Sequence, residues 1–261
     1  MFCLRNGIGI ITLFFTLLMP GLSIGAEEKE DSGIGLEAGL TFESRYIWRG
    51  FDFNHGDPVF EPWLYYEPPY VEGLTIQLYS VVGVGTNSAV GDKSNGVDEV
   101  DFELAYAHPI FSDRLTGTVG LVVFGNISDH ASDNGSNRVD SDLTAKFSYK
   151  FSSIFSTYAA YARGLDHGIR GNYGEAGANA TLEIVPSRIR FEPAVVTGFY
   201  SSQFGAGGKF AYVMLNVPVT FRIGRVTVIP HYAYFYVPHP APFDDTGRNF
   251  GVAGVELGCR F

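Results

Sequence analysis

Apolar and polar residues alternate along the stretch from Asn249 to Phe261. Gly251, Ala253, Val255, Leu257, Cys259 and Phe261 form one apolar row, and Gly254, Glu256, Gly258 and Arg260 form a small or polar one. A period of two marks a strand with one wet face and one apolar face. The row ends on an aromatic. A soluble sheet gains nothing from that, whereas in a membrane-crossing barrel the aromatic anchors at the interface and the strand closes against the first.

The same period opens at Leu36. Leu36, Ala38, Leu40, Phe42, Tyr46 and Trp48 share one row, and Glu37, Thr41, Glu43, Arg45 and Arg49 the other. Ser44 interrupts the first row and Ile47 the second. The pattern predicts a first strand that runs outward, leaving Trp48 near the outer interface and Arg45 and Arg49 facing inward. Eleven further strands are expected at 59–66, 74–84, 97–107, 115–124, 138–149, 155–163, 173–184, 188–200, 209–221, 225–236 and 249–261. The expected fold is all-β, a transmembrane antiparallel β-barrel of twelve strands, with ten or fourteen as the alternatives.

The connections support this count. Long Gly-, Asn-, Asp- and Ser-rich stretches such as Gly85–Gly96 and Gly125–Asn137 alternate with short ones such as Lys150–Ile154, Ile184–Arg188 and Arg222–Arg225. Extracellular loops and periplasmic turns alternate in this way. Tyr66, Tyr106, Tyr149, Phe221 and Phe261 end the inward-running strands on the apolar row, which suits a periplasmic girdle, while Tyr232, Tyr234 and Tyr236 climb to the other rim.

The N-terminal region reads differently. Arg5, an apolar run from Gly7 to Met19, Pro20 and the small residues to Ala26 form a secretory signal peptide, residues 1–26. Its roughly 13 apolar residues fall short of the about 20 that span a bilayer. Residues 27–34 are expected to be a short periplasmic tail and 35–261 the barrel. Cys3 leaves with the signal, so Cys259 has no disulfide partner in the mature chain. A formal charge of −10, about −11 once Arg5 is gone, disfavours nucleic acid as a partner.

Two resemblances follow. The last strand resembles the C-terminal signal of outer-membrane proteins, with Cys259 where a larger apolar residue is usual. It implies engagement by the barrel-assembly machinery. Ser44-Arg45-Tyr46-Ile47-Trp48-Arg49-Gly50, followed by Asp57-Pro58-Val59 and an acidic strand at Glu99-Val100-Asp101, resembles the opening of the TorF-type porin family. The chain departs from that pattern at Phe60-Glu61-Pro62. The resemblance implies a barrel of the bacterial outer membrane more than a particular cargo.

Candidate chemistry lies on the inward rows. Glu99, Asp101 and Glu103 share one face of a strand whose other face is Val100, Phe102, Leu104 and Tyr106. Carboxylates spaced about 7 Å along a strand do not face lipid, so they are expected in the lumen. Glu61 is expected to join them, with Arg45, Arg49, Lys146, Lys150, Arg188, Arg190 and Arg260 on other inward rows. Opposed acidic and basic walls would orient a small polar solute. Alternatively, the charges pair and plug a narrow barrel, and strand number alone does not decide. Asp129, Asp133, Asp140 and Asp142 suit calcium by donor type, but no recognised metal-loop spacing appears, and solvated loops are the plainer reading. Bridging from loop carboxylates through divalent ions to lipopolysaccharide is the alternative. His130 and Ser132 resemble the His-x-Ser pairing of outer-membrane lipid hydrolases, although here the pair sits in a Gly/Asn/Asp-rich run that gives it no fixed alignment. His55, His108, His167, His231 and His239 are dispersed and read as incidental, with a rim role open to His231. No cofactor or metal site is expected. The function expected is passive diffusion of small hydrophilic solutes with a weak preference for cations. A closed structural or adhesive surface barrel and the hydrolase are the alternatives. The expected partners are outer-membrane lipid and lipopolysaccharide, small polar solutes and the assembly machinery.

Overall fold

Alternating residues become strands here because each strand can bury one row and show the other to lipid. A computed structural model of the chain describes residues 34–52, 56–84, 97–126, 138–165, 171–201, 209–238 and 249–261. β1 is Leu36–Glu43, β2 Val59–Tyr66, β3 Leu74–Gly83, β4 Val97–Ser112, β5 Leu115–Asn126, β6 Arg138–Lys150 and β7 Phe155–Gly164. β8 is Gly171–Ala180 resumed as Leu182–Val185, β9 Ile189–Phe191 resumed as Ala194–Ser201, and β10 Lys209–Asn216 resumed as Val219–Ile223. β11 is Val226–Tyr236 and β12 Asn249–Arg260. Each strand pairs antiparallel with its neighbours in sequence, and β12 returns to β1 with Arg260 opposite Glu37 and Gly254 opposite Glu43. The ladder is a closed twelve-stranded barrel.

Three strands expected to be continuous are broken, at Thr181, at Glu192-Pro193 and at Val217-Pro218. Proline removes a ladder donor, so the ladder is interrupted where two of them sit. Their carbonyls stay in use: the Ala180 N–H donates to Pro193 O at 3.0 Å and the Glu192 N–H to Pro218 O at 3.2 Å. β4 runs beyond its expected end to Ser112, with a register shift between Pro109 and Ser112.

Leu40, Phe60, Leu64, Leu78, Phe102, Leu104, Val119, Leu143, Phe147, Leu215 and Leu257 are exposed on the outer surface. In water such a belt invites association. In lipid it is the required face, and a closed ladder leaves no backbone edge unpaired there. Tyr106, Tyr149 and Phe261 are exposed at the short-turn end, and Tyr232, Tyr234 and Tyr236 on the outer face of β11. Among the described residues no helix is long and apolar enough to cross a membrane.

The first strand departs from expectation. β1 stops at Glu43, where Ser44 ties to β12: its N–H donates to Ala253 O at 2.9 Å and its hydroxyl accepts from the Ala253 N–H at 3.0 Å. The chain then leaves the wall and turns into the lumen. Ile47–Trp48 pairs with Phe51–Asp52 as a hairpin whose two turn residues, Arg49 and Gly50, have φ of 49° and 85°. Positive φ at both positions belongs to the tight turn whose twist matches a two-residue hairpin. Trp48 is therefore not at the outer interface: it is fully buried, packed edge-on against Phe124 of β5 at 6.3 Å between ring centres. Tyr46, Ile47 and Trp48 join Tyr79, Val122, Phe124, Tyr212 and Phe235 in the apolar core, which lies inside the barrel.

The β12–β1 seam is bridged by one indole. A Cβ on Gly39 would lie 2.3 Å from Trp63 of β2, and one on Gly258 3.3 Å from the same ring, so the indole crosses both glycines. Gly39→Val presses on that ring and on the Leu257 carbonyl oxygen, also 2.3 Å from the added Cβ, an overpacking cost of about 1–3 kcal/mol. The folded, heat-modifiable band should convert to the unfolded one at a lower temperature than wild type. An unchanged conversion temperature would show that the indole is not closing the seam.

Candidate functional site in the barrel lumen

The acidic row of β4 faces inward. Glu99, Asp101 and Glu103 are 0%, 0% and 3% exposed, while Phe102 and Leu104 on the opposite row are 40% and 39% exposed. Glu61 of β2 is buried on the same side of the wall. Asp140 and Asp142 of β6 add to them. Asp101 pairs with Phe124 and Phe124 with Asp140, and Glu103 is linked through Val122 to Asp142, so the acidic rows of β4 and β6 stand two ladder spacings apart, about 10 Å. By sequence these two aspartates group with Asp129 and Asp133. The structure places them in the wall, and Asp129 and Asp133 lie outside the described residues. The signal for the wall was present in the polar row Asp140, Asp142, Thr144, Lys146 and Ser148, blurred by Ser141 on the opposite row.

Carboxylates dominate this interior. Among the described residues Glu43, Asp57, Glu61, Glu99, Asp101, Glu103, Asp140, Asp142, Glu175 and Glu192 are buried, against Arg49, Lys146 and His231. No group of three or more potential metal ligands among the described residues is close enough to hold an ion.

Arg49 reaches the acidic rows from the tip of the inward hairpin, not from the wall row on which the alternation put it. Its Nη2 is ion-paired with Oδ2 of Asp142. The guanidinium lies 4.3 Å from the Trp48 ring centre and 4.5 Å from that of Tyr173 on β8. The Arg49 carbonyl accepts a hydrogen bond from the Tyr200 hydroxyl of β9. Lys146 of β6 sits 4.9 Å over the Tyr158 ring, within the fields of Glu175 and Glu103. The Glu175 carboxylate accepts from three phenols: Tyr158 at 2.5 Å, Tyr173 at 2.6 Å and Tyr212 at 2.8 Å. Three hydroxyls from three strands thus converge on one buried carboxyl group.

Other expected residues sit apart. Arg45 is half-buried at the bend that leads into the hairpin, its guanidinium carbon 3.6 Å from where a Cβ on Gly56 would lie. Arg190 is half-buried on the Ile189–Phe191 segment, opposite Glu183 and Thr220 at the short-turn end. Arg188 is exposed in the turn before it and leaves the inward row. Arg260 pairs with Glu37 at 3.4 Å at the same end. His231 is not at the rim: it is buried inside, its Nε2 3.2 Å from Oε1 of Glu43. His130 and Ser132 lie outside the described residues.

No family model and no curated protein matches the sequence. Solved structures match the fold. The COG4313 outer membrane channel from Pseudomonas putida F1 superposes with a TM-score of 0.56 at 12% identity, covering 90% of this chain and all (100%) of that one. The NanC porin gives 0.52 at 15% identity over 87% of this chain and 98% of that one. LpxR from Salmonella typhimurium gives 0.54 at 8% identity over 86% and 100%. The chain thus has the fold of a transmembrane β-barrel of the bacterial outer membrane. Its likeness to TorF-type porins remains a sequence likeness over the opening strands.

Removing Asp142 leaves a buried guanidinium without its carboxylate, a loss of about 3–5 kcal/mol. Asp142→Ala should therefore release the hairpin. In a Trp63→Phe background, where Trp48 is the only indole, its emission should shift to the red. Adding Arg49→Met should reverse most of the shift, since an apolar side chain of similar size suits the apolar core. A red shift that persists in the double variant would assign the effect to something other than the unpaired charge.

Proposed function

We propose that the protein is an outer-membrane channel of narrow bore for passive diffusion of small hydrophilic solutes, with a weak preference for cations. The observation that carries this reading is the excess of buried carboxylates over buried cations in the barrel interior. Each buried carboxylate costs several kcal/mol to desolvate. A barrel that only needed filling would be more stable with apolar residues on those rows, as on the rows that hold Val122, Phe124 and Phe235. Twelve strands at the usual spacing and tilt give a backbone cylinder roughly 24 Å across before the inward side chains and the hairpin are placed inside it. A single hairpin is enough to narrow such a bore. Solved barrels of this fold described as porin and channel lend further support. Glu99, Asp101, Glu103 and Glu61 would form one wall of the path. Arg49, Lys146, Arg45 and Arg190 would supply the opposing charges. The outer face would meet lipid and lipopolysaccharide, and β12 would engage the assembly machinery.

The apolar packing of Trp48 against Phe124 favours a second reading, a closed structural or adhesive barrel. Planar-bilayer recording separates the two. Wild type should show unitary conductance with a cation-side reversal potential in a salt gradient, weakening as salt rises because the screening length is about 10 Å at 0.1 M. Glu99→Gln/Asp101→Asn/Glu103→Gln should move the reversal potential towards the anion side, and deletion of residues 46–52 should raise conductance. A protein with no unitary conductance even after that deletion would leave the closed barrel standing.

The hydrolase reading is tested separately. Purified protein is expected to show no acyl-hydrolase activity. Robust hydrolysis that disappears in Ser132→Ala would make Ser132 a nucleophile and displace the channel reading.

A further inference from the structure

The hairpin tip is held by a site that has the parts of a receptor for a planar organic cation. Asp142 supplies the carboxylate from β6, Tyr173 supplies a ring face from β8, and Trp48 supplies a second face from the hairpin itself. Arg49 fills this site incompletely. Only its Nη2 bonds the carboxylate, while Nε and Nη1, and Oδ1 of Asp142, have no hydrogen-bond partner among the described residues. A guanidinium that arrives free can turn to meet a carboxylate through two parallel N–H donors, a geometry the tether does not give Arg49. The acidic surroundings, Asp140 on the same strand and Glu103 two strands away, make the same place attractive to any cation entering the bore.

We propose that Arg49 is a tethered occupant of a cation-binding site that the lumen offers to its solute, and that this solute class is small organic cations bearing a guanidinium or an alkylammonium group. A free cation of this class takes the place of the Arg49 side chain against Asp142 and Tyr173, and the hairpin tip is released from the wall. The solute thereby loosens the constriction that it must pass. This rests on the channel reading for its role, but not for the existence of the site. A side chain on a short tether competes at an effective concentration in the millimolar range, so millimolar free cation is the concentration at which exchange is expected. That is far below the amounts at which guanidinium denatures.

The experiment uses the full-length mature protein in detergent and in planar bilayers, with guanidinium chloride as the probe and sodium chloride at matched ionic strength as its control. The Trp63→Phe background reports Trp48 alone. Guanidinium should red-shift the Trp48 emission at a concentration about tenfold lower than sodium requires, the margin expected from stacking on an aromatic face and paired hydrogen bonds. The same titration should raise unitary conductance. Asp142→Ala should abolish the guanidinium response. Tyr173→Leu keeps the ion pair and removes one ring face. It should weaken the response several-fold, and it serves if Asp142→Ala does not fold. Equal potency of sodium and guanidinium, or a response that survives both variants, would overturn the site. A guanidinium-specific shift of Trp48 in a protein that never conducts would uphold the site and remove the channel reading. A conducting protein whose Trp48 ignores guanidinium would do the reverse.

Discussion

A strand in hydrocarbon has no water to satisfy its N–H and C=O groups, so the ladder that begins at Leu36 has to return to itself. Everything else in the molecule follows from that closure. Once β12 pairs with β1, each alternating strand presents one row to lipid and the other to an enclosed interior. The two rows then obey opposite rules. Outside, Leu40, Phe60, Phe102, Leu143 and Leu257 meet acyl chains. Inside, an apolar residue gains by packing, and a charged one persists only where it finds a partner or water.

The interior resolves this conflict by dividing the labour. Wall strands supply most of the buried carboxylates, on β1, β2, β4, β6 and β8, while a key positive charge comes from the inserted hairpin. The insertion also brings Tyr46, Ile47 and Trp48 to apolar wall positions that would otherwise line an over-wide bore. One segment thus neutralises Asp142 and completes the packing. The tyrosines act in a similar way on the other side: Tyr158, Tyr173 and Tyr212 converge on Glu175, and Tyr173 also faces Arg49. A single phenol ring therefore links the carboxylate of β8 to the cation at the hairpin tip.

The wall was legible in the sequence because its signals are local. A period of two, a proline or glycine at a turn, and the alternation of long and short connections each lie within a few residues, and together they specify twelve strands and their two faces. The acidic row of β4 was readable for the same reason. The hairpin was not. Tyr46 and Trp48 continue the apolar row of β1, and alternation alone does not distinguish a strand that goes on from one that has turned inward. Ser44, which breaks the row and ties to Ala253, and the pair Arg49-Gly50 were the available signs of a turn. Asp140 and Asp142 were obscured by the polar run that precedes them. The ion pair itself joins residues 93 positions apart and exists only once the barrel has closed, so no local pattern encodes it.

The turn at the hairpin tip shows which demand prevailed there. A two-residue turn with both φ values positive is best served by Asn-Gly or Asp-Gly. Gly50 meets the second position without cost, but arginine at the first pays the left-handed penalty of about 1–2 kcal/mol. Backbone geometry therefore gives no reason for arginine, whereas the surroundings of its side chain do. An asparagine in its place would fit the turn and leave Asp142 facing Asp140 and Glu103 without a cation, and an aspartate would add to the repulsion. Only a long, permanently charged, planar side chain reaches from the tip to β6 while its guanidinium lies over the Trp48 and Tyr173 rings. The hairpin is thus shaped around the charge it delivers, and the Arg49–Asp142 pair adds to the hold given by Trp48 packed on Phe124 and by the Tyr200 hydroxyl on the Arg49 carbonyl.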